Sequence, residues 1–123
     1  MATKTAPEPK ADEKPKDPVY FPPIASGTDD NGLNWEDVSV FGAVYRIRQI
    51  TTEEDDAAWD AAELPNDRYN NRLLARMQLV ASIVSPATTL DDIGRMSKIK
   101  VQSLFYVHNR LNSLPPADTE GNA

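Results

Sequence analysis

The chain has 123 residues with 19 acidic and 13 basic side chains, a formal net charge of −6, and no cysteine. That balance disfavours nucleic acid as the main partner, because phosphate binding rests on clustered Lys and Arg. Lack of cysteine excludes disulfides, thiolate metal sites and a cysteine nucleophile.

Residues 1–34 hold six of the ten prolines, mixed charge and few large apolar side chains. They are expected to form a disordered arm, with Pro-Glu-Pro and Lys-Pro-Lys favouring extended segments. Lys4 is followed by no apolar stretch, so a secretory signal is not expected. Tyr20 and Phe21 beside Pro22-Pro23 read as a local aromatic–proline contact, with a short docking motif as the alternative. Ser26 to Gly32 is loop-like by composition. About 90 residues remain to fold, a size at which one core is marginal and a partner or a second copy can supply the missing burial.

From Trp35 to Ile50 the texture changes. Val38 and Val40 alternate with Asp37 and Ser39, and Tyr45 and Ile47 alternate with Arg46 and Arg48, with a break at Gly42. Period-two alternation of β-branched and aromatic residues predicts two short strands in a hairpin, lying against helices. Thr51 and Glu54 then have capping-box spacing, and the acidic run Glu53 to Asp56 suits a helix start. Trp59 is the one large side chain on this helix and is expected to face the core. Leu64-Pro65 ends it.

A long central helix is predicted over 67–85, stopped by Pro86. Tyr69, Leu73, Met77, Val80 and Val84 recur on one face. Thr88 and Thr89 with Asp91 and Asp92 open a short turn that runs through Met96, weakened by Gly94. Ser97 is expected to cap a last helix whose stripe is Val101, Leu104, Phe105, His108 and Leu111, ending before Pro115-Pro116. Two apolar faces this close in sequence pack against each other. The expectation is a mainly α protein with a small N-terminal β-hairpin: an arm over 1–34, a hairpin plus a compact domain of about three to four helices over 35–114, and a flexible tail over 115–123. No apolar run approaches a membrane span.

Few constellations suggest chemistry. The acids from Glu53 to Asp56, with Asp60 and Glu63, lack the glycine and loop geometry of a hard-cation site and read as dipole complementation. His108, the single histidine, reads as a packed or interface-rim residue rather than a catalytic base. Arg68, Arg72 and Arg76 step by four and form a basic ridge, which Lys98, Lys100 and Arg110 extend if the helices pack that way round: a solvated face, or a contact for an acidic partner segment, with nucleic acid third. No Gly-rich phosphate loop, nucleophile elbow or zinc-binding His-Glu-x-x-His is present. An enzyme is not expected, nor a cofactor or metal.

The order of these features resembles a known family. Tyr45-Arg46-Ile47-Arg48 leads into the Thr-Glu-Glu helix start. An Arg-rich helix follows, closing on Leu79-Val80-Ala81-Ser82-Ile83-Val84-Ser85-Pro86. Then come Leu90-Asp91-Asp92-Ile93, Met96 and a final helix ending Leu111-Asn112-Ser113-Leu114. Across Val38 to Leu114 this is similar to the tail assembly chaperones of long-tailed bacteriophages, with Ser85 where that family often has an acidic residue. The resemblance implies a non-catalytic protein of the host cytoplasm, absent from the finished particle. Its implied partners are the tape measure protein, which it keeps soluble, and the tail-tube protein, which it helps recruit. Homo-oligomers are possible. Leu73, Met77, Val80, Val101, Leu104 and Phe105 are the candidates for a core or partner groove, with Arg68, Arg72 and Arg76 beside them. A virion structural or head–tail joining protein, and a small nucleic-acid-binding regulator, are the alternatives.

Overall fold

The computed structural model describes residues 20–114. The parts of the expected arm and tail at 1–19 and 115–123 lie outside the described residues.

Strands β1 (Ala25–Thr28), β2 (Asn34–Val40) and β3 (Ala43–Arg48) are followed by helix α1 (Thr52–Ala62) and the two-residue strands β4 (Glu63–Leu64) and β5 (Arg68–Tyr69). Helix α2 (Asn71–Ser82), strand β6 (Ile83–Ser85), and helices α3 (Leu90–Arg95) and α4 (Lys98–Asn112) complete the described residues. The larger sheet is antiparallel, with order β1-β2-β3-β6; β4 and β5 form a small ribbon of their own.

The expectation of a mainly helical fold with a small hairpin is therefore corrected: this is an α+β fold built on a four-stranded sheet. The hairpin β2–β3 is its centre, turning at Phe41 (φ 51°) and Gly42 (φ 85°), the left-handed pair of a tight hairpin turn. Two further strands join it from stretches expected to be loop and helix. Ala25–Thr28, within the segment assigned to the arm and its loop, pairs with β2 from Ala25↔Asp37 to Thr28↔Asn34. Gly27 permits this, because any Cβ there would stand 2.8 Å from the Trp35 ring. Ile83–Ser85, expected to finish the central helix, instead pairs with β3 through Ile47↔Ile83 and Arg46↔Ser85.

The central helix is shorter at both ends than its periodicity suggests. It starts at Asn70, whose side chain accepts from the Leu73 N–H (3.1 Å), and stops at Ser82. Arg68 and Tyr69 precede it, in the ribbon. Three other starts agree with the sequence. Thr51 and Thr89 each form a reciprocal capping box, with Glu54 and Asp92 respectively, and Ser97 accepts from the Lys100 N–H (3.1 Å).

One face of the sheet carries the core. Val38, Val40, Tyr45 and Ile47 point inward and meet Leu79 of α2, Ile83, Ile93 of α3, and Leu104 and Val107 of α4. Each such side chain contributes about 1.5–3 kcal/mol by leaving water. A smaller cluster of Ala58, Ala62 and Leu74 joins α1 to α2, with Leu73 and Met77 packed on it. Trp59 does not face the core: it is 40% exposed and stands edge-on to Tyr69, with ring centroids 4.9 Å apart. The side of α1 that faces α2 is taken instead by Ala58 and Ala62, which pack on Leu74. On the opposite, uncovered sheet face, the Arg46 guanidinium lies 3.8 Å from the Trp35 ring centroid and pairs with Asp37 at 2.8 Å.

Candidate docking groove

The helical layer leaves a groove of about 460 Å³ between α2, α3 and α4. Ile93 and Met96 form one part of its floor, and Val101 and Phe105 the other. Arg72 and Arg76, one helical turn apart on α2, stand on one side, with Lys98 at the start of α4. Among the described residues none of these three cations forms an ion pair, whereas Arg46, Arg48, Arg95 and Arg110 all do. Among the described residues, no acidic side chain lines the groove. Gly94 does, and a Cβ placed there meets nothing within 4 Å.

The candidate residues named from sequence fall into four groups. Arg72, Arg76, Val101 and Phe105 line the groove together. Leu73 and Met77 lie elsewhere, on the α1–α2 cluster, and Val80 packs against the main core. Leu104 is fully buried beneath the groove. Arg68 is absent from the ridge because β5 precedes the helix; the four-residue spacing put it in line only for a helix that began earlier. Of the cations expected to extend the ridge, Lys98 joins Arg72 and Arg76 at the groove, whereas Lys100 lies over Tyr45 and Arg110 pairs with Glu36; Met96 and Gly94 were missed as groove residues. Their α3–α4 junction shows no periodicity, and the cap at Ser97 was the one signal available.

A second hollow, of about 410 Å³, lies where the α1 start meets the α4 end, lined by Thr51, Asp55, Gln78, His108 and Asn112 among others. Several of its polar groups are engaged in hydrogen bonds within the protein. Gln78 Nε2 donates to Asp55 Oδ1 (2.7 Å), and Asn112 Oδ1 accepts from the Ile50 N–H (2.9 Å). Asn112 Nδ2 donates to the His108 carbonyl (2.9 Å) and stands 3.4 Å from His108 Nδ1. His108 is buried, and loss of water around the ring holds its pKa below the ordinary value, opposed by the charge of Asp55. This arrangement fastens α4 to the β3–α1 junction.

Among the described residues, no group of His, Asp or Glu is placed to hold a metal ion, and no helix is long and apolar enough to cross a membrane. Comparison with protein-family models, with curated proteins and with solved structures gave no match.

Proposed function

We propose that this protein is a non-catalytic tail assembly chaperone of a long-tailed bacteriophage, which holds the tape measure protein soluble in the host cytoplasm and helps recruit tail-tube subunits. The observation that carries the docking part is the open apolar groove between α2, α3 and α4. Its apolar floor suits the apolar stripe of a helix, the mode in which a partner helix lays its i, i+3 and i+4 side chains into a groove. The resemblance over Val38 to Leu114 supplies the biological setting. A nucleic-acid regulator is less favoured, because Arg68 leaves the ridge and the remaining cations stand over an apolar floor. Purified particles should lack the protein; its presence there would favour the virion structural alternative.

The test is co-expression with the tape measure protein. The wild-type chain should keep that protein in the soluble fraction and co-purify with it. Gly94→Phe, which fills the groove from a position with open space, should abolish both while the chain remains folded by circular dichroism. Failure of the folded wild-type chain to solubilise the tape measure protein would overturn the reading.

A further inference from the structure

The charges around the groove run against the rest of the molecule. The chain is acidic overall, at −6, yet among the described residues every charged side chain lining the groove is a cation. The helix starts sharpen this contrast. Helices α1 and α3 carry acids in their first turns, Glu53, Glu54 and Asp55 in one and Asp91 and Asp92 in the other, as the positive end of a helix dipole favours. Helices α2 and α4 have no acid there. Arg72 stands in the first turn of α2, and Lys98 and Lys100 in that of α4. Cations at the positive ends of helices are locally unfavourable. Lys100 is engaged over the Tyr45 ring, 5.2 Å from its centroid, but Arg72 and Lys98 both border the groove. Two helix starts and three side chains thus sum to one positive rim around an apolar floor.

Resting on the docking role proposed above, we infer that the groove selects a partner helix whose apolar stripe is flanked by Asp and Glu, so that its acids meet Arg72, Arg76 and Lys98 while its large side chains cover Ile93, Met96, Val101 and Phe105. Charge complementarity chooses the occupant, and the apolar floor supplies the adhesion. A basic stripe of the same apolar content is repelled by these cations, and a neutral one leaves them without partners in the groove. A polyphosphate backbone has no apolar surface to cover the floor.

The probe is a pair of labelled eighteen-residue helical peptides with the same leucine stripe, one flanked by Glu and the other by Lys, titrated into the full chain by fluorescence anisotropy. The Glu peptide should bind at least about tenfold more tightly, with the gap narrowing as salt rises. Its amide shift changes should map to the α2–α3–α4 groove. The double variant Arg72→Glu/Arg76→Glu should reverse the preference, and Gly94→Phe should remove binding of both peptides. Equal affinities, no binding of either peptide, shifts that map elsewhere, or displacement of the Glu peptide by duplex DNA would each overturn the inference. A chain that solubilises the tape measure protein but ignores peptide charge would leave the chaperone reading standing and remove this one alone.

Discussion

Arg110 near the end of α4 reaches Glu36 on β2, Nη2 to Oε1 at 2.6 Å, and closes the helix onto the sheet. The same guanidinium donates to the carbonyls of Tyr20 (2.8 Å) and Phe21 (2.8 Å), so one side chain holds the described N-terminal segment, a strand and a helix together. Both partners are largely shielded, with side chains 23% and 17% exposed. Removing the cation leaves a carboxylate and two carbonyls without their donor. Arg110→Ala should cost about 2–3 kcal/mol in urea unfolding, because breaking a shielded pair strands its partner. Arg110→Lys should recover little, since a single ammonium cannot span three acceptors in that fork. A loss below about 0.5 kcal/mol for Arg110→Ala would show that the clamp is not part of the folded state's stability.

Acidification should lower the stability of the protein in two steps. His108 is held below its ordinary value of 6.5, chiefly by burial, so the unfolded chain binds its proton more readily. A lowered folded value means that stability is complete above about pH 6.5 and begins to fall as pH drops below it. Glu54 is held below its ordinary 4.5, first by the bidentate Arg48 pair (2.7 and 2.9 Å) and then by the Thr51 cap. Asp37 is held down by Arg46, and Asp92 by the Thr89 cap. These carboxylates add stability above the ordinary carboxylate range that is lost as pH falls through and below it. His108→Gln should flatten the first step and Glu54→Gln the second, read as unfolding midpoint against pH. An acid limb unchanged by Glu54→Gln would remove the Arg48–Glu54 pair from this account.

Two glycines should respond oppositely to alanine. Gly94 lies in α3 with open space at its Cβ position, so Gly94→Ala should stabilise by about 0.5–1 kcal/mol. Gly27 lies against the Trp35 ring, 2.8 Å from an added Cβ, so Gly27→Ala should destabilise by about 1–3 kcal/mol and disturb the Trp35 fluorescence. Thermal unfolding of the two variants distinguishes them by sign.

Phe41 is 63% exposed in a left-handed conformation that a bulky side chain tolerates poorly. Asparagine suits this first position of the Phe41–Gly42 turn much better. Phe41→Asn should raise stability by about 1 kcal/mol. A loss instead would mean that the Phe41 ring makes contacts that outweigh its backbone strain.

The starts of three helices and the central hairpin were legible along the chain because each depends on partners within a few residues. Thr51 and Glu54, Thr89 and Asp92, and Ser97 and Lys100 meet at fixed local spacings, and Phe41-Gly42 turns the chain between two alternating strands. Part of the groove was legible for the same reason, since Arg72 with Arg76, and Val101 with Phe105, share helix faces by their four-residue steps. What the local pattern could not decide was where an element stops. Ile83-Val84-Ser85 continues the helical periodicity as well as it makes a strand, and only the free edge of β3 turned it into β6. Ala25 to Thr28 has no strand propensity, yet pairing along β2 and the fit of Gly27 under Trp35 make it β1. Arg68 left the ridge, Leu104 went under the groove instead of into it, and Arg110 became a clamp, because each outcome depends on neighbours far along the chain. Local spacing set the caps and faces of the helices; the sheet's edges and the packing of α3 and α4 over α2 decided which of those faces stayed open.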